Sequence, residues 1–204
     1  MTNPEMPKAA PRRASTGPRP NPKSEAAILA AARGLLAEKG YAGFSIDEVA
    51  RRAGAGKPTI YRRWPNKAEL IVAVYNEDKA AHMVPPAAGD LAADIEAYTL
   101  QLWGFWRDTP LGETFRALIA EAQTGAAAQE ALRERFLSVR ARELRTLFAG
   151  AAERGEIAPA AIDTLLELYI GFNWLRLLTD RIGDTAGVGA MSRALARAGG
   201  AAGA

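Results

Sequence analysis

The stretch from Ser45 to Pro65, SIDEVARRAGAGKPTIYRRWP, is punctuated too closely to hold a long helix or a strand. Ser45 and Glu48 stand three apart, the spacing at which a capping hydroxyl and a glutamate each satisfy the other's free backbone amide, so a helix is expected to start at Ile46. Val49, Ala50 and Ala53 give it a short apolar face, and Gly54 stops it after about two turns. Pro58 fits only the first turn of the next helix, where its missing N–H costs nothing, and Pro65 forbids continuation beyond Trp64. Asn66 and Glu69 repeat the capping spacing and open a fourth helix that runs through Leu70, Ile71 and Val74 towards His82. Upstream, from Ser24, Ile28, Ala32, Leu35 and Leu36 recur at helical spacing, with Gly40 as the stop. Two short helices joined by a glycine turn and held between two longer ones form a helix-turn-helix in a small bundle.

The short third helix has two dissimilar sides. Ile60 and Trp64, four apart, share a face that would pack on Val49, Phe44 and Leu36. The other side presents Lys57, Thr59, Tyr61, Arg62 and Arg63, donors suited to phosphate oxygens and to base edges in a major groove. Lys67 adds a cation at the start of the fourth helix, and Ser45 and Pro58 complete the expected contact set at the two helix starts. Charge agrees with this. Up to His82 there are 14 Lys and Arg against 8 Asp and Glu, and beyond it 12 against 15. From Val49 to Ala68, Arg51, Arg52, Lys57, Arg62, Arg63 and Lys67 occur with no acid among them. A solvated basic face is the alternative account of that run alone.

Cysteine is absent and His82 is the single histidine, which removes disulfides, thiolate nucleophiles and histidine-paired metal motifs. No catalytic residue, metal or cofactor is expected. The proline-rich N-terminus lacks the apolar run of a signal peptide, and no apolar stretch is long enough for a bilayer, so a cytoplasmic protein without membrane contact is expected. Residues 1–22 read as a disordered basic arm, residues 23–82 as the helix-turn-helix head, and residues 90–198 as a helical body, with Pro85, Pro86 and Gly89 as the joint. The body divides into helical segments near Leu91–Arg107, Leu111–Gln123, Ala127–Arg154 and Ala160–Asp180, with a weaker one at Met191–Ala198. The fold class is therefore all-α.

The stretch from Phe44 to Leu70, FSIDEVARRAGAGKPTIYRRWPNKAEL, resembles the DNA-binding signature of the TetR family of transcriptional regulators. The resemblance covers Ser24 to about Tyr75. It implies DNA contacts at Thr59, Tyr61, Arg62 and Lys67, with Gly54 in the turn. Gly56 departs from the serine cap common in the family, and glycine is a weaker cap. The body resembles the family only in its helical layout and in ALRERFLSVRARELRTLFAGAAERGEI. The resemblance further implies a homodimer paired through the last two long helices as a four-helix bundle, a palindromic double-stranded operator, and a ligand-released repressor.

Two body features bear on those implications. LLELYIGFNWLRLL, from Leu165 to Leu178, is apolar on nearly all sides, so its outer side, with Leu168, Gly171, Leu175 and Leu178, is expected to meet a partner subunit. Tyr98, Trp103, Trp106, Phe115, Phe172 and Asn173 are candidates to line a pocket for a small apolar or aromatic inducer, with plain core packing as the alternative for each. Two competing functions remain. One is a DNA-coating architectural protein that binds by charge alone, and the other is a helical enzyme using carboxylates such as Glu113 and Glu121, whose spacing singles out neither.

Overall fold

The computed structural model describes residues 22–86 and 88–200 of the chain, so most of the expected arm lies outside the described residues. All regular structure within them is helical. Helix α1 (Pro22–Lys39) is followed by α2 (Ile46–Ala53), α3 (Lys57–Arg63) and α4 (Lys67–His82). Gly40 and Gly54 both take positive φ, +61° and +60°, the left-handed conformation that ends a helix and that a residue with a Cβ adopts only under strain. Asn66 caps α4 as its spacing suggests, its side chain accepting from the Glu69 amide at 2.9 Å. The reciprocal box at α2 does not form. Ser45 makes no capping side-chain bond, and the Glu48 carboxylate is engaged by Arg51 at 2.6 Å and Arg52 at 2.9 Å.

Beyond the joint come α5 (Leu91–Asp108) and α6 (Leu111–Ala122). Next is a rod in three parts: α7 (Ala126–Glu130), a π-helical turn (Ala131–Leu137) and α8 (Ser138–Glu153). A 3₁₀ turn at Pro159–Ala161 leads into α9 (Ile162–Leu178), and α10 (Val188–Gly199) closes the described fold. The π turn sits where Phe136 reaches the Tyr75 and Phe115 rings, 5.1 and 4.2 Å between centroids. A widened turn of this kind rotates the side chains after it without breaking the helix. No helix among the described residues is long and apolar enough to cross a membrane.

The apolar interior forms two clusters. The larger starts with Ile28, Leu35, Val49 and Ile60 in the first three helices and continues through Tyr75 of α4 into Trp103, Trp106 and Phe115 of α5 and α6. The smaller joins α5, α8, α9 and α10 around Ile95, Phe148, Leu165 and Leu195. Trp106 Nε1 donates to the Tyr75 hydroxyl at 2.7 Å, so the one polar group on each of these buried rings is satisfied by the other across the boundary between α4 and α5.

Candidate nucleic-acid interface

Helix α3 is set by its two buried anchors. Ile60 is fully buried and Trp64, its C-cap, nearly so, and both belong to the apolar cluster that holds Val49, Phe44 and Leu36. With that side fixed, Lys57, Pro58, Tyr61, Arg62 and Arg63 stand exposed and Thr59 half-buried on the opposite side. Gly56 takes the extended conformation of an N-cap and contributes no side-chain bond. Ser45, exposed at the start of α2, and Lys67, half-buried at the start of α4, flank this face. The eight positions expected at DNA are thus all exposed or half-buried, on α3 and at the starts of α2 and α4.

The acid-free run is not acid-free in space. Arg51 pairs with Glu48, and Arg52 pairs with Glu48 and with Glu38 at 2.7 Å. Hydrogen bonds from Arg51 and Arg52 hold the Glu48 carboxyl down to about 2. Lys57 reaches Asp47 at 2.7 Å, a hydrogen bond that raises its pKa. Arg63 reaches Glu25 at 2.5 Å, and Lys67 reaches Glu121 of α6 at 2.9 Å. Burial opposes the charged form of Glu121, but the Lys67 ammonium beside it outweighs that and holds the carboxyl below its ordinary value. Every acid in these pairs lies outside the Val49–Ala68 run, so sequence distance hid the compensation. Pairs this exposed are weak and exchangeable, and a phosphate can replace the carboxylate without a buried charge being stranded. Arg62 makes no ion pair with a described residue and stands free beside Tyr61.

In the body, the candidate pocket residues fall into two groups. Trp103 is fully buried, stacks on Phe172 at 5.9 Å and donates to the Asn173 side-chain carbonyl at 2.7 Å. Phe115 is sandwiched by aromatic neighbours. By contrast Tyr98, Trp106 and Asn173 wall a small void of about 30 Å³. Tyr98 also belongs to a much larger groove of about 750 Å³ between the end of α4, the joint, α5 and α8, lined by Met83, Pro85, Leu144 and Leu147. The structure therefore does not bring the six into one pocket wall. Apart from Tyr98, the groove's residues gave little sequence signal, since they are a scatter of aliphatic, charged and glycine positions from separate segments. On α9, Leu165, Leu166, Tyr169, Asn173 and Leu177 face inward, while Leu168, Gly171, Leu175 and Leu178 form an exposed stripe. His82 is exposed at the end of α4, its Nδ1 2.7 Å from the Asp78 carbonyl oxygen.

A helix-turn-helix with an outward donor face, set on an all-helical body, defines a DNA-binding regulator. Comparison with known proteins gives the family. Residues 28–74 match the model of the tetR family of bacterial regulatory proteins, and residues 85–197 match that of the tetracyclin repressor-like C-terminal domain. An uncharacterized HTH-type transcriptional regulator of Mycobacterium tuberculosis is 37% identical over 161 residues, covering 77% of each chain. A second, YdeS of Bacillus subtilis, is 30% identical over 162 residues, 78% of this chain and 81% of its own. The crystal structure of the TetR family transcription regulator SCO0332 superposes with a TM-score of 0.76 at 30% identity, over 86% of this chain and 97% of that one. The chain belongs to the TetR family of transcriptional regulators.

Proposed function

We propose that the chain is a homodimeric, ligand-released repressor of a palindromic operator. The observation that carries the reading is the division of α3: Ile60 and Trp64 are buried in the core, which leaves Tyr61, Arg62 and their basic neighbours exposed and Thr59 half-buried on a helix, the element a major groove admits. Lys57, Thr59, Tyr61, Arg62 and Arg63 meet base edges and phosphates, while Ser45, Pro58 and Lys67 seat the helix starts against the backbone. The exposed Leu168, Gly171, Leu175 and Leu178 stripe supports pairing of two subunits, because an apolar ridge of this kind is unfavourable in water and a two-fold axis suits an inverted repeat. A small, mostly apolar molecule in the body shifts the population towards a shape whose two α3 helices no longer match successive major grooves, and DNA in turn weakens that ligand.

Selection of bound duplexes from a random DNA pool tests the claim. An enriched inverted repeat is expected, and its preference over random duplex should exceed about three decades. Recovery of unselected sequence with a steep salt dependence would instead mark a charge-driven coating protein.

A further inference from the structure

Two of the buried cations depend on a single carboxylate. Lys79 of α4 and Arg140 of α8 are 3% and 7% exposed, and neither lies on the DNA-facing end. One carboxylate oxygen serves both: Glu143 Oε2 is 2.7 Å from Lys79 Nζ and 2.8 Å from Arg140 Nη1. The Tyr98 hydroxyl accepts from Lys79 at 2.6 Å and donates to the same Glu143 oxygen at 3.3 Å. Glu143 itself is a rim residue whose side chain is 41% exposed. The donors are thus held rigidly inside while their acceptor is a tethered surface side chain.

The arrangement is also incomplete. Arg140 Nη2 donates to the Asn76 side chain at 3.0 Å, but buried Nε has no acceptor, and Nη1, though close to Glu143, does not direct an N–H at it. Buried guanidinium N–H groups left without acceptors are costly and uncommon. The other two charges of the large groove are already committed. Asp94 accepts from the Ala88 amide at 2.8 Å, and Arg154 is bound by Glu156 at 2.5 Å. The groove of about 750 Å³ ends on Lys79, Tyr98 and Glu143, and the small void behind Glu143 shares Lys79, Tyr98 and Leu144 with it and adds Arg140.

We infer that the effector of this regulator is an amphipathic organic carboxylate, whose head displaces Glu143 from Lys79, Tyr98 and Arg140 and whose apolar body lies along Met83, Leu144 and Leu147. The inference rests on the ligand-released reading above. A planar carboxylate brings two acceptor oxygens where Glu143 offers one, so one can keep Lys79 and Tyr98 while the other meets the unsatisfied Arg140 N–H groups. Glu143, expelled towards water, loses little, since it is already half-solvated. The groove volume suits a medium-sized molecule.

Calorimetry on the full chain without DNA tests this with matched probes: octanoate, octanol and octylamine, and 4-phenylbutyrate beside 4-phenylbutanol. Each acid should bind at least about tenfold more tightly than its alcohol, and the amine more weakly still. Glu143→Ala, at a half-exposed position, should tighten the acids about threefold or more and leave the alcohols unchanged. Lys79→Met, checked for helicity and melting, should remove the preference of acid over alcohol. Equal binding of acid and alcohol, no binding by either acid, or acid affinity unmoved by Glu143→Ala would overturn the inference. Since these titrations contain no operator, they fail or succeed independently of the DNA-binding reading. A titration in which the acids bind but leave operator occupancy unchanged would refute their role as effectors.

Discussion

Lys67 Nζ lies 2.9 Å from the Glu121 carboxylate, so the first residue of α4, at the edge of the DNA-facing surface, is tied to helix α6 of the body. The ammonium also sits 4.3 Å from the centroid of the Tyr41 ring. In the proposed complex a DNA phosphate has to take Lys67 from Glu121, so the pair competes with the operator.

Two substitutions separate the partners. Glu121→Gln frees Lys67 and is expected to tighten operator binding by up to about fivefold, the worth of a half-exposed pair of under ~1 kcal/mol. Lys67→Ala is expected to weaken it and to flatten the dependence of log K on log salt by about one unit for each phosphate no longer neutralised, one in each subunit. Anisotropy titrations across a salt series measure both, and an unchanged slope for Lys67→Ala would take that residue out of the interface.

On α3 the two sides should respond differently. Trp64→Ala empties a buried site and is expected to cost about 3–5 kcal/mol in chemical denaturation. Tyr61→Ala touches only the exposed side, so its denaturation midpoint should match the parent while operator affinity falls. A destabilised Tyr61→Ala would mean that the phenol packs rather than reads.

Leu175→Glu and Leu178→Glu place charge on the exposed stripe of α9. Sedimentation of the parent at micromolar concentration should give a dimer and that of either variant a monomer with unchanged helicity. A monomeric parent would remove the argument for an inverted repeat.

Lys79 gives the fold a pH signature. Burial, then the neighbouring Arg140 charge, bring its pKa from 10.5 down to about 8 against the opposing pull of Glu143. The groups facing it are Tyr98 of α5 and Arg140 and Glu143 of α8. Between pH 8 and 10.5 the unfolded chain keeps this proton while the folded one releases it, so stability rises with pH through that window. The full effect is on the order of 3 kcal/mol. Above their ordinary range near 10, buried Tyr75, Tyr98 and Tyr169 hold their protons more tightly when folded and act in the opposite sense. Urea midpoints from pH 7.5 to 9.5 should therefore climb in the parent and stay flat in Lys79→Met.

How much of this could be read in the sequence depended on whether the signal was local. Gly40, Gly54, Pro58 and Pro65 act on their own backbone, and the helices they delimit lie where those residues require. The Ile60 and Trp64 anchors followed from a four-residue spacing and are buried. Of the Ser45–Glu48 box neither half forms: Arg51 and Arg52, on the same short helix, hold the Glu48 carboxylate, and nothing in the structure explains the missing Ser45 bond. The cation pair of the body was invisible for a different reason. Lys79 in NEDKAAH and Arg140 in SVRAREL look like members of solvated faces, and only the closure of α5 and α8 over the end of α4 buries them. The π turn at Ala131–Leu137 carries no glycine or proline, and it follows from where Phe136 must point rather than from any breaker.

The Trp106–Tyr75 bond and the continuous apolar cluster around it also limit how such a regulator can be rebuilt. Exchange of heads between relatives is a direct way to redirect a sensor to a new operator. A cut at the Pro85–Pro86 joint would leave Tyr75 in one parent and its indole partner in the other. A functional chimera therefore has to carry the aromatic faces of α4, α5 and α6 together, so the transplantable unit extends well past the joint.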